Sequence, residues 1–122
     1  MKYILMLNPD ESNSILIDYD FISKVLQDFN NTGFEIEEVK QKESIYSHIF
    51  SFSKEHFELF LNKKMDAISL EGDWQKTIGF VISFINHLPE SQKVHFFDDS
   101  YNDNMVIDFK TNREDIESVF SY

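Results

Sequence analysis

Few residues of this chain could do chemistry, and their spacing removes most of the options. The richest cluster, Asp98-Asp99-Ser100-Tyr101-Asn102-Asp103-Asn104, offers the oxygen donors that Ca²⁺ or Mg²⁺ prefers. A calcium loop needs such donors at alternating places with a Gly at the turn; here there is no Gly, and Tyr101 falls on a ligand place. The stretch reads instead as a turn built from Asx residues. His48, His56, His87 and His95 form no H-E-x-x-H pair, so no zinc site is expected. The spacing puts His48 and His95 in strands and His56 and His87 on helix surfaces. Glu71 and Asp73 flank the end of an apolar run, where two carboxylates can divide acid and base roles, yet Asp73 also stands where a helix needs its N-cap. Gly33, Gly72 and Gly79 are the only glycines, which excludes phosphate loops, dinucleotide fingerprints and nucleophile elbows. With no Cys there is no thiol nucleophile or thiolate ligand. No metal or other cofactor is implied.

These side chains must be positioned by one domain, residues 1–122. The chain is 42% hydrophobic with 13 Phe, enough apolar volume for a single core. Absent cysteine fits a reducing compartment. Lys2 precedes only the short apolar run Tyr3 to Leu7, too brief for a secretory leader, and no run has the roughly 18 apolar residues of a membrane span. A soluble cytoplasmic protein is expected. Acids outnumber Lys plus Arg by 22 to 11, a net charge of -11. Such a surface repels nucleic acid and anionic lipid and attracts basic proteins, though charge also serves solubility alone. The acids concentrate in residues 10–38 and 66–108, on either side of a mildly basic segment.

Lys2 to Leu7 reads as a central strand covered on both faces. Phe21, Ile22, Val25, Leu26 and Phe29 recur at helical spacing, with Asp18 or Asp20 as N-cap and Gly33 as a stop. Phe34 to Val39 and Ile45 to Phe52 read as an antiparallel pair about Lys40 to Ser44. Ser53 and Glu55 open an expected helix whose apolar face is Phe57, Phe60, Leu61 and Met65, with Lys63 and Lys64 at its end. Asp66 to Glu71 is a buried strand ended by Gly72. Asp73 starts the most apolar helix, which runs to Leu88 before Pro89 and takes Trp74 into the core. Val94 to Asp98 and Met105 to Phe109 form a hairpin-like pair. Thr111-Asn112-Arg113-Glu114 is a capping box leading a last helix through Ile116, Val119 and Phe120. The fold class is α+β or mixed α/β, with one sheet of about five to six strands and about three to four helices packed on it.

The stretch "ISLEGDWQKTIGFVISFINHLPESQKVHFFDDSYNDNMVIDFKTNREDIESVF", residues 68–120, resembles the C-terminal half of small bacterial immunity proteins that accompany polymorphic or contact-dependent growth inhibition toxins. The likeness lies in a strand ending at Leu70-Glu71-Gly72, a helix closing at Leu88-Pro89, the run "FFDDSYN", a second strand and a capped helix. The preceding residues do not share it. The resemblance implies a binding protein without catalytic residues, neutralising a cognate toxin that in many such systems is a basic nuclease. Its acidic surface would meet that partner around Glu71, Asp73, Asp98, Asp99, Tyr101 and Asp103. Tyr101 either anchors the partner or folds back over its own hairpin. Two other functions compete. One is an acidic inhibitor or adaptor that mimics DNA toward a host protein, against which Lys24, Lys76 and Lys93 interrupt the acids. The other is a small-ligand binder or enzyme using Glu71, Asp73, His87 or His95 around an apolar pocket.

Overall fold

A computed structural model of the chain describes residues 2–8, 12–29, 33–52 and 56–120. Pro9, Ser53 and Glu55, to which the sequence assigns a turn, a cap and a first helical turn, lie outside them. The chain runs β1 (Lys2–Leu7), α1 (Tyr19–Asp28), β2 (Glu35–Glu38), β3 (Tyr46–Phe52), β4 (Phe57–Asn62), β5 (Ala67–Gly72), α2 (Trp74–Ile85), β6 (Val94–Asp98), β7 (Asn104–Ile107) and α3 (Arg113–Val119). The strands form one seven-stranded sheet, ordered β2-β3-β4-β5-β1-β6-β7, and every pair is antiparallel. The architecture is therefore a single-domain α+β fold, with one strand more than the upper expectation.

Local chemistry explains where the helices begin. The Asp18 carboxylate accepts the Phe21 N–H at 2.9 Å and Asp73 accepts the Lys76 N–H at 3.1 Å, each satisfying one of the orphan donors of a first turn. The last helix is capped one residue later than expected. Asn112 and Asp115 exchange the reciprocal bonds of the capping box, because the Thr111 hydroxyl is taken by the Asp108 N–H at 2.9 Å. Helix α2 ends at Ile85, short of Leu88, and α1 ends at Asp28, well before Gly33.

The three helices cover one face of the sheet. Tyr3 of β1 packs against Trp74 at 5.3 Å and Phe120 at 6.1 Å; Phe29 meets Phe52, Phe57 and Phe80. Phe21 meets Phe84 edge-on at 5.3 Å, and the buried Ser83 hydroxyl donates to the Val25 carbonyl at 3.0 Å, tying α2 to α1. Behind them, Leu5, Phe50, Leu59, Leu61, Ile68, Leu70, Phe96 and Ile107 point inward and are buried. Thirteen phenylalanines in so short a chain thus serve mainly one continuous core.

Two expectations fail for the same physical reason. Residues 57–65 are not helical: Phe57, Leu59 and Leu61 alternate with Glu58, Phe60 and Asn62, and the segment is the strand β4 followed by the β4–β5 turn. Nor is β1 covered twice. Tyr3, Leu5 and Leu7 are buried while Lys2, Ile4 and Met6 are only half-buried. In both strands an apolar side chain occupies an outward position, and Phe60 in particular supplied the false helical period.

Candidate functional site

The outward positions of the sheet assemble into three cross-strand rows. Directly opposed residues share a face, so the register fixes each row. The first runs Glu35, Ser51, Glu58, Glu71 and Lys2 across β2, β3, β4, β5 and β1. Asp99 closes it, its N–H bonded to the Lys2 carbonyl at 3.0 Å. The second runs Glu37, Ile49, Phe60, Ser69, Ile4, Phe97 and Asn104. The third carries Ala67, Met6, His95 and Val106, with Tyr46 opposite Asn62 at its far end. One row is acidic, the next is apolar at Ile49, Phe60, Ile4 and Phe97 with Ser69 among them and Glu37 and Asn104 at its ends, and the last is mixed.

A β-bulge completes the face. The β3–β4 register shifts between Tyr46 and His48, so Tyr46 turns outward onto the Phe60 ring at 5.4 Å while His48 turns inward against Tyr19 at 4.9 Å. The Lys2 ammonium leans over this aromatic pair, 3.3 Å from the Tyr46 hydroxyl and 5.8 Å from the centre of the Phe60 ring. A shallow groove of about 260 Å³ passes over Ile4, Met6 and Phe60 between Ile45, Tyr46 and Asp99. Among the described residues no helix lies on this side.

In the acidic row Glu58 stands directly across from Glu71, both exposed. Like charges facing each other across strands weaken the pairing. Glu58 has a hydroxyl neighbour in Ser51 at 3.3 Å, and among the described residues no group of three or more acids and histidines is placed to hold a metal ion.

The six residues singled out from the sequence separate into three groups. Glu71 and Asp99 lie on the open face, at two places of the acidic row. Tyr101 joins them from the β6–β7 turn: its ring sits 4.7 Å from that of Phe97 and remains 63% exposed, so it folds over its hairpin and still extends the apolar row. Its φ of 63° is the left-handed conformation the turn requires. Asp98 belongs to the interior. It is 5% exposed, and its carboxylate accepts the Asn102 N–H and the Ser100 hydroxyl, both at 3.0 Å. Asp103 is half-buried with its carbonyl bonded to the Asp98 N–H at 3.1 Å, and Asp73 is occupied as the α2 cap. The alternative set is also divided. His87 bridges α2 and α1, with Nδ1 2.9 Å from the Ser83 carbonyl and Nε2 3.0 Å from the Asp28 carboxylate. His95 lies on the opposite side, in the open face.

No protein-family model, no curated protein and no solved structure matches the chain. No helix among the described residues is long and apolar enough to cross a membrane.

Proposed function

We propose that this chain is an immunity-type protein that binds and neutralises a basic toxin domain through its acidic surface. The observation that carries the reading is a sheet face holding an apolar row beside a row of four carboxylates, Glu35, Glu58, Glu71 and Asp99. Contiguous apolar surface rimmed by polar groups marks association sites. A net charge of -11 would speed encounter with a basic partner. Neutralisation needs only occlusion of the toxin, so it asks for no catalytic group. The cytoplasm, where cysteine-free chains are at home, is the proposed place of the encounter.

The test is co-expression with the toxin domain encoded beside this gene. The chain should restore growth and co-purify with the toxin at a fixed ratio. A chain that neither binds nor protects refutes the reading.

A further inference from the structure

We infer that the open sheet face, with Asp99 and Tyr101 at its border but without Asp73, Asp98 and Asp103, is the docking surface, and that its occupant is a basic protein. That partner sets an apolar side chain on the Ile4, Phe60 and Phe97 row and Lys or Arg side chains against the Glu35-to-Asp99 row. This rests on the proposal that the chain binds a basic partner.

Seven strands at about 4.8 Å spacing cross about 29 Å, and three rows span about 14 Å along the strands. That is a footprint of about 400 Å², widened at its margins by the exposed side chains of Ile45, Val106 and Tyr101, the size of a small, transient interface rather than the ~800 Å² that one partner contributes to a standard one. Chemistry within the face is graded as interfaces are, an apolar and aromatic centre with charge at one border. Next to the Ile4 position the exposed Tyr101 ring leans, tilted, on the buried Phe97 ring, which steadies it as the kind of aromatic anchor that dominates binding energy.

Charge selects the occupant. Among the described outward strand positions Lys2 is the one Lys or Arg, with His95 in the third row, and the Lys2 ammonium is turned to Tyr46 and Phe60. The row is left with four carboxylates, two of them directly opposed at Glu58 and Glu71. A cation placed over that pair relieves the mutual repulsion, so the free face is poised for Lys or Arg. A second copy of the chain is disfavoured, because it brings its own net charge of -11. An anionic surface is disfavoured on the same ground.

The experiment has two arms. In the first, isotopically labelled protein is titrated with an amphipathic peptide of alternating Leu and Lys, and amide shifts are mapped. Perturbation confined to β1, β4, β5, β6 and the Tyr101 turn is expected; shifts centred on the helices, or none at millimolar peptide, overturn the docking assignment whatever the toxin does. In the second, the neighbouring toxin domain is the probe. Replacing Glu58, Glu71 and Asp99 together by Lys should slow association at least about tenfold, whereas the same exchange at exposed Asp20, Glu90 and Glu114, away from the face, should slow it less than about threefold. Phe60→Gln with Tyr101→Ser should instead raise the dissociation rate about tenfold or more. Equal slowing by the two charge triples, with folded variants, overturns the assignment while leaving the immunity reading intact. A toxin that fails to bind wild type removes that reading, and the peptide map then decides the face by itself.

Discussion

The three glycines provide a graded test of the backbone geometry. Gly72 ends β5 opposite Phe57 with a φ of 134°, and a Cβ built there would lie 2.1 Å from the His56 carbonyl oxygen. The obstacle is backbone, in a segment where His56 itself has a φ of 52°, so no side-chain rotation can relieve it. Gly72→Ala therefore incurs about 1–3 kcal/mol for the dihedral. Parting the end of the β4–β5 ladder removes one or two hydrogen bonds at about 1 kcal/mol each. The sum is about 2–5 kcal/mol, a large share of the roughly 5–15 kcal/mol that holds a domain together. At about 4 °C per kcal/mol the Tm should fall by about 8–20 °C. Gly33, with a φ of 102° and nothing within 4 Å, isolates the dihedral contribution; Gly33→Ala should lower the Tm by about 4–12 °C. Gly79 is helical, and its added Cβ meets only Phe29 Cε1 at an ordinary 3.5 Å. Gly79→Ala should gain about 0.5–1 kcal/mol and raise the Tm by about 2–4 °C. Calorimetry on the four proteins is the assay. A Gly72→Ala midpoint within about 3 °C of wild type would refute the close approach of residues 56 and 72, and with it the β4–β5 register from which the acidic row is derived.

Phe84→Ala should cost about 3–5 kcal/mol, read from denaturant unfolding, because the ring is fully buried between Phe21 and Phe80. Asp73→Ala should cost about 1 kcal/mol through the lost α2 cap while leaving partner association unchanged within error, which surface plasmon resonance would check. Ca²⁺, Mg²⁺ or Zn²⁺ should not move the melting temperature, since the Asp98 carboxylate is committed to its own turn; a saturable upward shift would contradict this. On the proposal of a basic toxin partner, association with it should slow as salt rises, in stopped-flow mixing, and a salt-independent rate would remove the steering role of the acids.

Elements marked by a local signal, a cap or a turn, were legible in the sequence. The α2 helix was readable from the wide apolar arc after Asp73, and the β6–β7 pair from the Asx-rich turn between them. The reading failed where outward residues are apolar. Phe60 satisfies a helical spacing with Phe57 and Leu61 although its neighbours alternate, and Ile4 and Met6 make a half-exposed strand look fully enclosed. The candidate face was hidden for a different reason. Glu35, Glu58, Glu71 and Asp99 are distant in sequence and become neighbours only through register, while the locally dense Asp98 to Asp103 cluster proved to be largely turn machinery.

The position of β1 has a consequence for how the chain comes to be folded. Strands β2 to β5 follow one another as neighbours, and β6 with β7 makes a local hairpin, so each part can form from nearby chain. β1 alone joins them, pairing Met6 with Ala67 on one side and Leu7 with Val94 on the other. β1 thus waits for β5 to follow it before one of its edges is paired, and for β6 before the other is. Closing such distant contacts is slow, and the apolar edge stays exposed meanwhile. The nascent sheet would need protection longest at β1, and sequence changes in β1 that leave the finished sheet equally stable would still alter the yield of folded protein.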